Sequence, residues 1–181
     1  MSSQERVPWS EALLTFVQRY PGVHFREILR RLRIPLGTLD YHIYRLSRQG
    51  LLETRDVGGH RCVFPSHPVG QGPPLPEYDK TVLAVLRQPV TRAILLSLLL
   101  EGTVTAQKLA PELQVSASTL SYYLDRLEGL GLIDRGRSYP PPRPLRLNSP
   151  QEVRRILLAN PPLPEALPDR WVRLWQTLRL G

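Results

Sequence analysis

Apolar residues fall into short blocks at helical spacing, each closed by proline or glycine. Leu13, Leu14, Phe16 and Val17 form the first block, with Ser10 as its expected N-cap and Pro21-Gly22 as its stop. Phe25, Ile28, Leu29 and Leu32 form a second, and after the break at Pro35 and Gly37 a third follows with Leu39, Ile43 and Leu46 on one stripe. Gly50 is placed to end that helix as a C′ glycine. Residues 51–56 and 60–64 then alternate as extended runs around Gly58-Gly59, the pattern of a β-hairpin. Helix, helix, tight turn, helix, hairpin is the outline of a winged helix-turn-helix.

The same order recurs 81 residues later. TLDYHIYRLSRQGLLE, starting at Thr38, is answered by TLSYYLDRLEGLGLID, starting at Thr119, with seven of sixteen positions identical. Upstream, Val23, Ile28, Leu32 and Ile34 match Val104, Leu109, Leu113 and Val115 at the same offset. A whole unit is therefore duplicated. Its second copy is expected to place helices over 91–100, 106–113 and 116–130, with Ser116 as a cap and Gly131 as a stop. The second hairpin is less regular, because RSYPPPRP at 137–144 carries four prolines that cannot donate to a ladder, and its wing is expected as an irregular loop. Residues 66–80, with four prolines and two glycines up to Tyr78, are expected as an interdomain linker. The resulting division is unit 1 at 1–65, linker at 66–80, unit 2 at 81–148 and a helical tail at 149–181.

In the tail, Ser149 and Pro150 begin a helix that runs to about Ala159. A last helix aligns Trp171, Leu174, Trp175 and Leu178 in one apolar stripe that needs a partner, either its own unit 2 or a second subunit. The second choice makes the protein a homodimer.

Charge narrows the function. The formal net charge is +8, and Lys80 and Lys108 are the only lysines among 24 basic residues. Excess arginine on a small protein points to phosphate, which a guanidinium grips with two parallel hydrogen bonds. With Leu39, Ile43 and Leu46 turned inward, the third helix presents Gly37, Tyr41, Tyr44 and Arg48 outward, flanked by Thr38, Asp40 and Arg45. Arg45 and Arg48 suit guanine edges or phosphates, and the tyrosines suit phosphates or thymine methyls. Asp40 suits either a cytosine amino group or a local salt bridge with a nearby arginine, and the salt bridge is the preferred reading. Arg26, Arg30 and Arg33 follow at i, i+4 and i+7 on the second helix, and Arg55 and Arg61 flank the glycine tip of the hairpin. Between His24 and Gln49 six arginines face two acids, whereas between Thr105 and Leu130 two basic residues face three acids. Unit 1 is therefore expected to be the main DNA reader, with Arg135, Arg137 and Arg143 of the second wing as secondary contacts.

Residues 21–65, through the pieces PGVHFREI, GTLDYHIYRL, QGLL and the glycine-tipped wing, resemble the winged-helix units of archaeal and bacterial regulators related to the ArsR and MarR groups. The resemblance implies a mainly α fold with small β-hairpin wings, in tandem units, and a DNA-binding transcriptional regulator.

Other chemistries find little footing. His24, His42, His60 and His67 with the single Cys62 show no recurring metal-ligand spacing, so no metal is expected, nor another cofactor. No glycine-rich phosphate loop or nucleophile motif is present, and the chain is read as non-enzymatic. The longest apolar run, near residues 93–100, is too short to span a bilayer, and a cytoplasmic protein with double-stranded DNA as partner is expected. A rival reading makes the two units a protein–protein assembly module. A small-molecule effector, if there is one, is not legible.

Overall fold

In the computed structural model, residues 8–67, 73–136 and 143–160 are described below. The chain divides into two units, Met1–Ala84 and Val85–Gly181. Both are helical with small antiparallel sheets.

The first unit begins with α1 (Trp9–Arg19), β1 (Val23–His24), α2 (Phe25–Leu32) and α3 (Leu36–Arg48). The hairpin β2 (Leu52–Val57) and β3 (His60–Pro65) follows, then α4 (Glu77–Leu86). Its core is built from Leu13, Val17, Ile28, Leu39, Ile43, Leu46, Leu52, Val63 and Phe64, the apolar stripes of the pattern. Gly50, at φ 69°, closes α3 in a Schellman motif. Its N–H donates to Ser47 O, and that of Leu51 to Leu46 O.

The second unit contains α5 (Pro89–Glu101), β4 (Thr103–Thr105), α6 (Ala106–Leu113), α7 (Ala117–Gly129), β5 (Ile133–Arg135), β6 (Pro144–Leu147) and α8 (Pro150–Ala159). α2 and α6 begin and end 81 residues apart, and so do α3 and α7. Gly131 repeats the Schellman closure of Gly50. The turns repeat as well: Arg33 and Gln114, which end α2 and α6, both occupy the left-handed region, at φ 52° and 55°.

Four expectations change. Ser10 lies inside α1 rather than capping it; Pro8 precedes the helix, and the Ser10 hydroxyl is 3.0 Å from His42 Nδ1 on α3. A serine with a side-chain partner on another helix has no need of the local backbone donor that defines a cap. The segment 66–80, read as linker, enters α4 at Glu77, and there Asp79 and Lys80 are buried. Each sheet has three strands rather than two, in orders β1-β3-β2 and β4-β6-β5, because a short strand ahead of α2 or α6 joins the hairpin. Finally, the base of the second wing is regular: Pro144 opens β6, where it has no ladder donor to lose, and its carbonyl accepts from Gly136 N. Residues 137–142 lie outside the described set.

One glycine is required by packing. Gly22 sits at φ 80° between α1 and β1, and a Cβ there would lie 2.9 Å from Ala84 N and 3.0 Å from Leu83 C. α4 thus rests on the turn of the first unit through the absence of a side chain.

Candidate nucleic-acid interface

α3 buries Leu39, Ile43 and Leu46 and turns Tyr41, Tyr44, Arg45 and Arg48 to solvent, as the periodicity demands. Tyr41 and Tyr44 are 58% and 65% exposed, with Thr38 half-buried at the edge of the same face. Leu36, at the first position of α3, is 60% exposed as well. Periodicity alone misses it, because Leu36 lies close to the buried stripe and only its place at the helix end leaves it uncovered.

The arginines separate into two groups that no local pattern distinguishes. Arg30 and Arg31 both hold Glu27, at 2.6 Å each. Partial burial pushes the Glu27 carboxyl up, but hydrogen bonds from Arg30 and Arg31 and their charges outweigh it, and the group sits below the usual glutamate range. Arg61 donates to Asp40 at 2.8 Å and lies over the Phe25 ring at 4.6 Å, so wing, α2 and α3 are joined at one point. The expectation of an ion pair for Asp40 is met, and its partner is a wing residue. Arg55 faces Glu77 at 3.1 Å and Glu53 at 3.6 Å. Lys80 joins the same two acids, Glu53 at 2.6 Å and Glu77 at 2.9 Å. Burial lowers the Lys80 ammonium, yet its hydrogen bonds with Glu53 and Glu77 leave it above the usual lysine range.

Arg26, Arg33, Arg45 and Arg48 are all exposed, and none has an ion pair or hydrogen bond from its side chain among the described residues. Arg33 is not on the helical face expected for it. It caps α2 in the left-handed region, so the i, i+4, i+7 row ends at Arg30. The guanidinium groups expected to face phosphate thus differ in availability: four are unengaged, while Arg30, Arg55 and Arg61 are held by carboxylates.

At the wing root His24 and His60 stack with ring centroids 4.9 Å apart, and His24 Nε2 is 3.1 Å from Ala84 O. Cys62 is buried beside them with its thiol on His60 O. Among the described residues no three His, Cys, Asp or Glu side chains converge as a metal cluster would require.

On α7 the outward face carries Tyr122, Asp125, Glu128 and Gly129, where α3 has Tyr41, Tyr44, Ser47 and Arg48. Arg135 is folded back on it, 2.7 Å from Asp125 and 3.3 Å from Glu128. Arg126, the counterpart of Arg45, turns instead to Gln88 at 2.7 Å and is half-buried. Arg143 is exposed, and Arg137 lies outside the described residues, as do Trp171, Leu174, Trp175 and Leu178.

Two family descriptions match this chain: an N-terminal HTH domain over residues 9–69, and the bacterial regulatory protein arsR family over residues 89–135. The chain carries helix-turn-helix regulator domains. An uncharacterized HTH-type transcriptional regulator of Methanocaldococcus jannaschii is similar to it, 25% identical over 122 residues. That match covers 67% of this chain and 29% of the relative, so the chain spans less than a third of that protein's length. No solved structure matches. Winged architecture and regulator similarity together support a DNA-binding regulatory function in general.

Proposed function

We propose that the chain is a sequence-specific double-stranded DNA-binding transcriptional regulator of tandem winged helix-turn-helix units, acting as a homodimer, with the first unit as its reading head. The observation that carries this reading is the unengaged set Arg26, Arg33, Arg45 and Arg48 around the exposed aromatic face of α3. Arg26 and Arg33 stand at the two ends of α2, placed to hold phosphates. Arg45, Arg48, Tyr41 and Tyr44 lie where base edges enter, with Thr38 beside them. Arg30, Arg55 and Arg61 serve chiefly to hold α2 and the wing in place, and they reach DNA only by exchanging carboxylate for phosphate. Arg135, Arg137 and Arg143 make at most secondary contacts, because the Asp125 and Glu128 carboxylates repel a phosphate backbone. Trp171, Leu174, Trp175 and Leu178 pair the subunits.

The test is selection from a random duplex pool with sequencing of the retained fraction. An enriched motif, present as two half-sites separated by whole helical turns, is the expected result for a dimer. A pool that stays flat at low salt overturns the reading. It would favour the rival, a protein–protein assembly module, for which the acidic face of α7 is the feature in hand.

A further inference from the structure

The amino end of α3 departs from its repeat in a way that the fold of the first unit does not require. At the 81-residue offset Pro35, Leu36 and Gly37 stand where the second unit has Ser116, Ala117 and Ser118. In α7 that triplet makes an ordinary helix start, with the Ser116 hydroxyl accepting from Thr119 N and bonded to the hydroxyls of Ser118 and Thr119. α3 begins after Pro35 without any side-chain cap, and its first residue is an exposed leucine. A single exposed leucine is common on protein surfaces. What sets Leu36 apart is the glycine beside it, together with the alanine and serine that the same backbone carries in the copy whose outward face is acidic.

Gly37 has no structural reason to be glycine. A Cβ at that position would meet no atom within 4 Å, and Gly37 is not among the glycines with positive φ. Neither packing nor backbone conformation asks for it, and glycine inside a helix is destabilising relative to alanine. At 100° per residue Gly37 heads the outward row that continues through Tyr41, Tyr44 and Arg48, and Leu36 lies on the flank of that row at its start. The unengaged Arg33 stands in the turn just before. The end of α3 that enters a groove first is thus bare backbone with one uncovered isopropyl group beside it, and positive charge lies on both sides of it along the chain.

We propose, resting on the reading of the first unit as the DNA reader, that Leu36 and Gly37 recognise the C5-methyl group of a thymine in the major groove. The residues at the amino end of a recognition helix are the ones that meet base edges. Among the groups that base pairs present there, the thymine methyl is the apolar one, and leucine has no hydrogen bond to offer any other. Gly37 leaves the outward row one Cβ short, so a base edge comes against the helix backbone itself. The Leu36 side chain, at the same level, then closes over the methyl and removes both from water. Ala117 is too short for that contact, and Ser118 adds a side chain where Gly37 has none. The second unit therefore lacks the methyl reader as well as the free arginines.

The test titrates the full chain against a labelled duplex bearing one half-site from the random-pool selection, with each thymine in turn replaced by deoxyuridine, which pairs with adenine and lacks only the methyl. At one thymine the replacement should weaken binding about fourfold, the worth of one buried methyl group. In Leu36→Ala, which removes an exposed side chain and should leave thermal unfolding unchanged, that penalty should vanish. Gly37→Ala should raise the melting temperature, since a Cβ has room there in the free protein, yet weaken specific binding by roughly tenfold, as one displaced base contact would. Those opposed effects separate a reading role from a structural one. A selected half-site in which no thymine is sensitive to deoxyuridine, a penalty that persists in Leu36→Ala, or a Gly37→Ala chain that binds as the native one does each overturns the proposal while leaving the first unit a DNA reader. A pool that stays flat removes both.

Discussion

The division of the arginines sets the salt dependence of DNA binding. Each phosphate neutralised releases condensed counterions, and log affinity falls against log salt with a slope of about −0.9 per contact. If every arginine of the sequence reading reached phosphate, roughly 5 to 7 contacts would give a slope of about −4.5 to −6. With Arg30, Arg55 and Arg61 held by carboxylates, four remain, two of them at base edges, and the expected slope for one reading head is no steeper than about −3.6, the value if all four reach phosphate. Between 50 and 200 mM salt that is a loss of roughly 150-fold, against several thousand-fold for seven contacts. The perturbation that separates the two is Glu27→Gln. It releases Arg30 and Arg31, which both rest on that carboxylate, and should steepen the slope by about 0.9 for each guanidinium that then finds a phosphate. Fluorescence anisotropy with a labelled duplex bearing one selected half-site measures both slopes. A native slope steeper than about −6, unchanged in folded Glu27→Gln, would show that the ion pairs do not withhold these arginines.

Three further outcomes are expected. Arg45→Ala with Arg48→Ala should abolish specific binding, each base contact being worth roughly 1–3 kcal/mol, whereas Arg126→Ala should leave DNA titration nearly unchanged and lower the melting temperature by freeing Gln88. Gly22→Ala should destabilise the first unit by roughly 2–4 kcal/mol in denaturant unfolding, from left-handed strain plus contact with Leu83 and Ala84; an unchanged midpoint would mean α4 does not rest there. Because Glu27 sits below its unfolded value, its ion pairs add stability that is present above the ordinary glutamate range and lost as pH falls through the folded value. Acid unfolding of Glu27→Gln should therefore show a smaller loss between about pH 5 and 3 than the native chain.

What the sequence disclosed was mainly what repeats. Stripes such as Leu39, Ile43 and Leu46, the C′ glycines and the offset of the two units are local or self-comparing signals, and the helices follow them. β1 was hidden because two residues show no period, and its existence depends on pairing Val23 with Val63, forty positions away. α4 was hidden behind prolines. The interface was legible as a face but not as an inventory of available charge. Arg61 and Arg45 look alike along the chain, and only folding brings Asp40 against the one and leaves the other open.

Arg33 carries a consequence of another kind. A side chain in the left-handed region costs about 1 kcal/mol that glycine would not incur, and Gln114 shows that the same turn forms without a charge. The turn therefore asks for neither arginine nor a Cβ. The first unit is less stable than its own backbone allows, and that margin is held at the one position where chain direction, surface exposure and positive charge coincide. A selection of variants for heat resistance alone would tolerate Arg33→Gly, and would weaken the grip on phosphate as it did so.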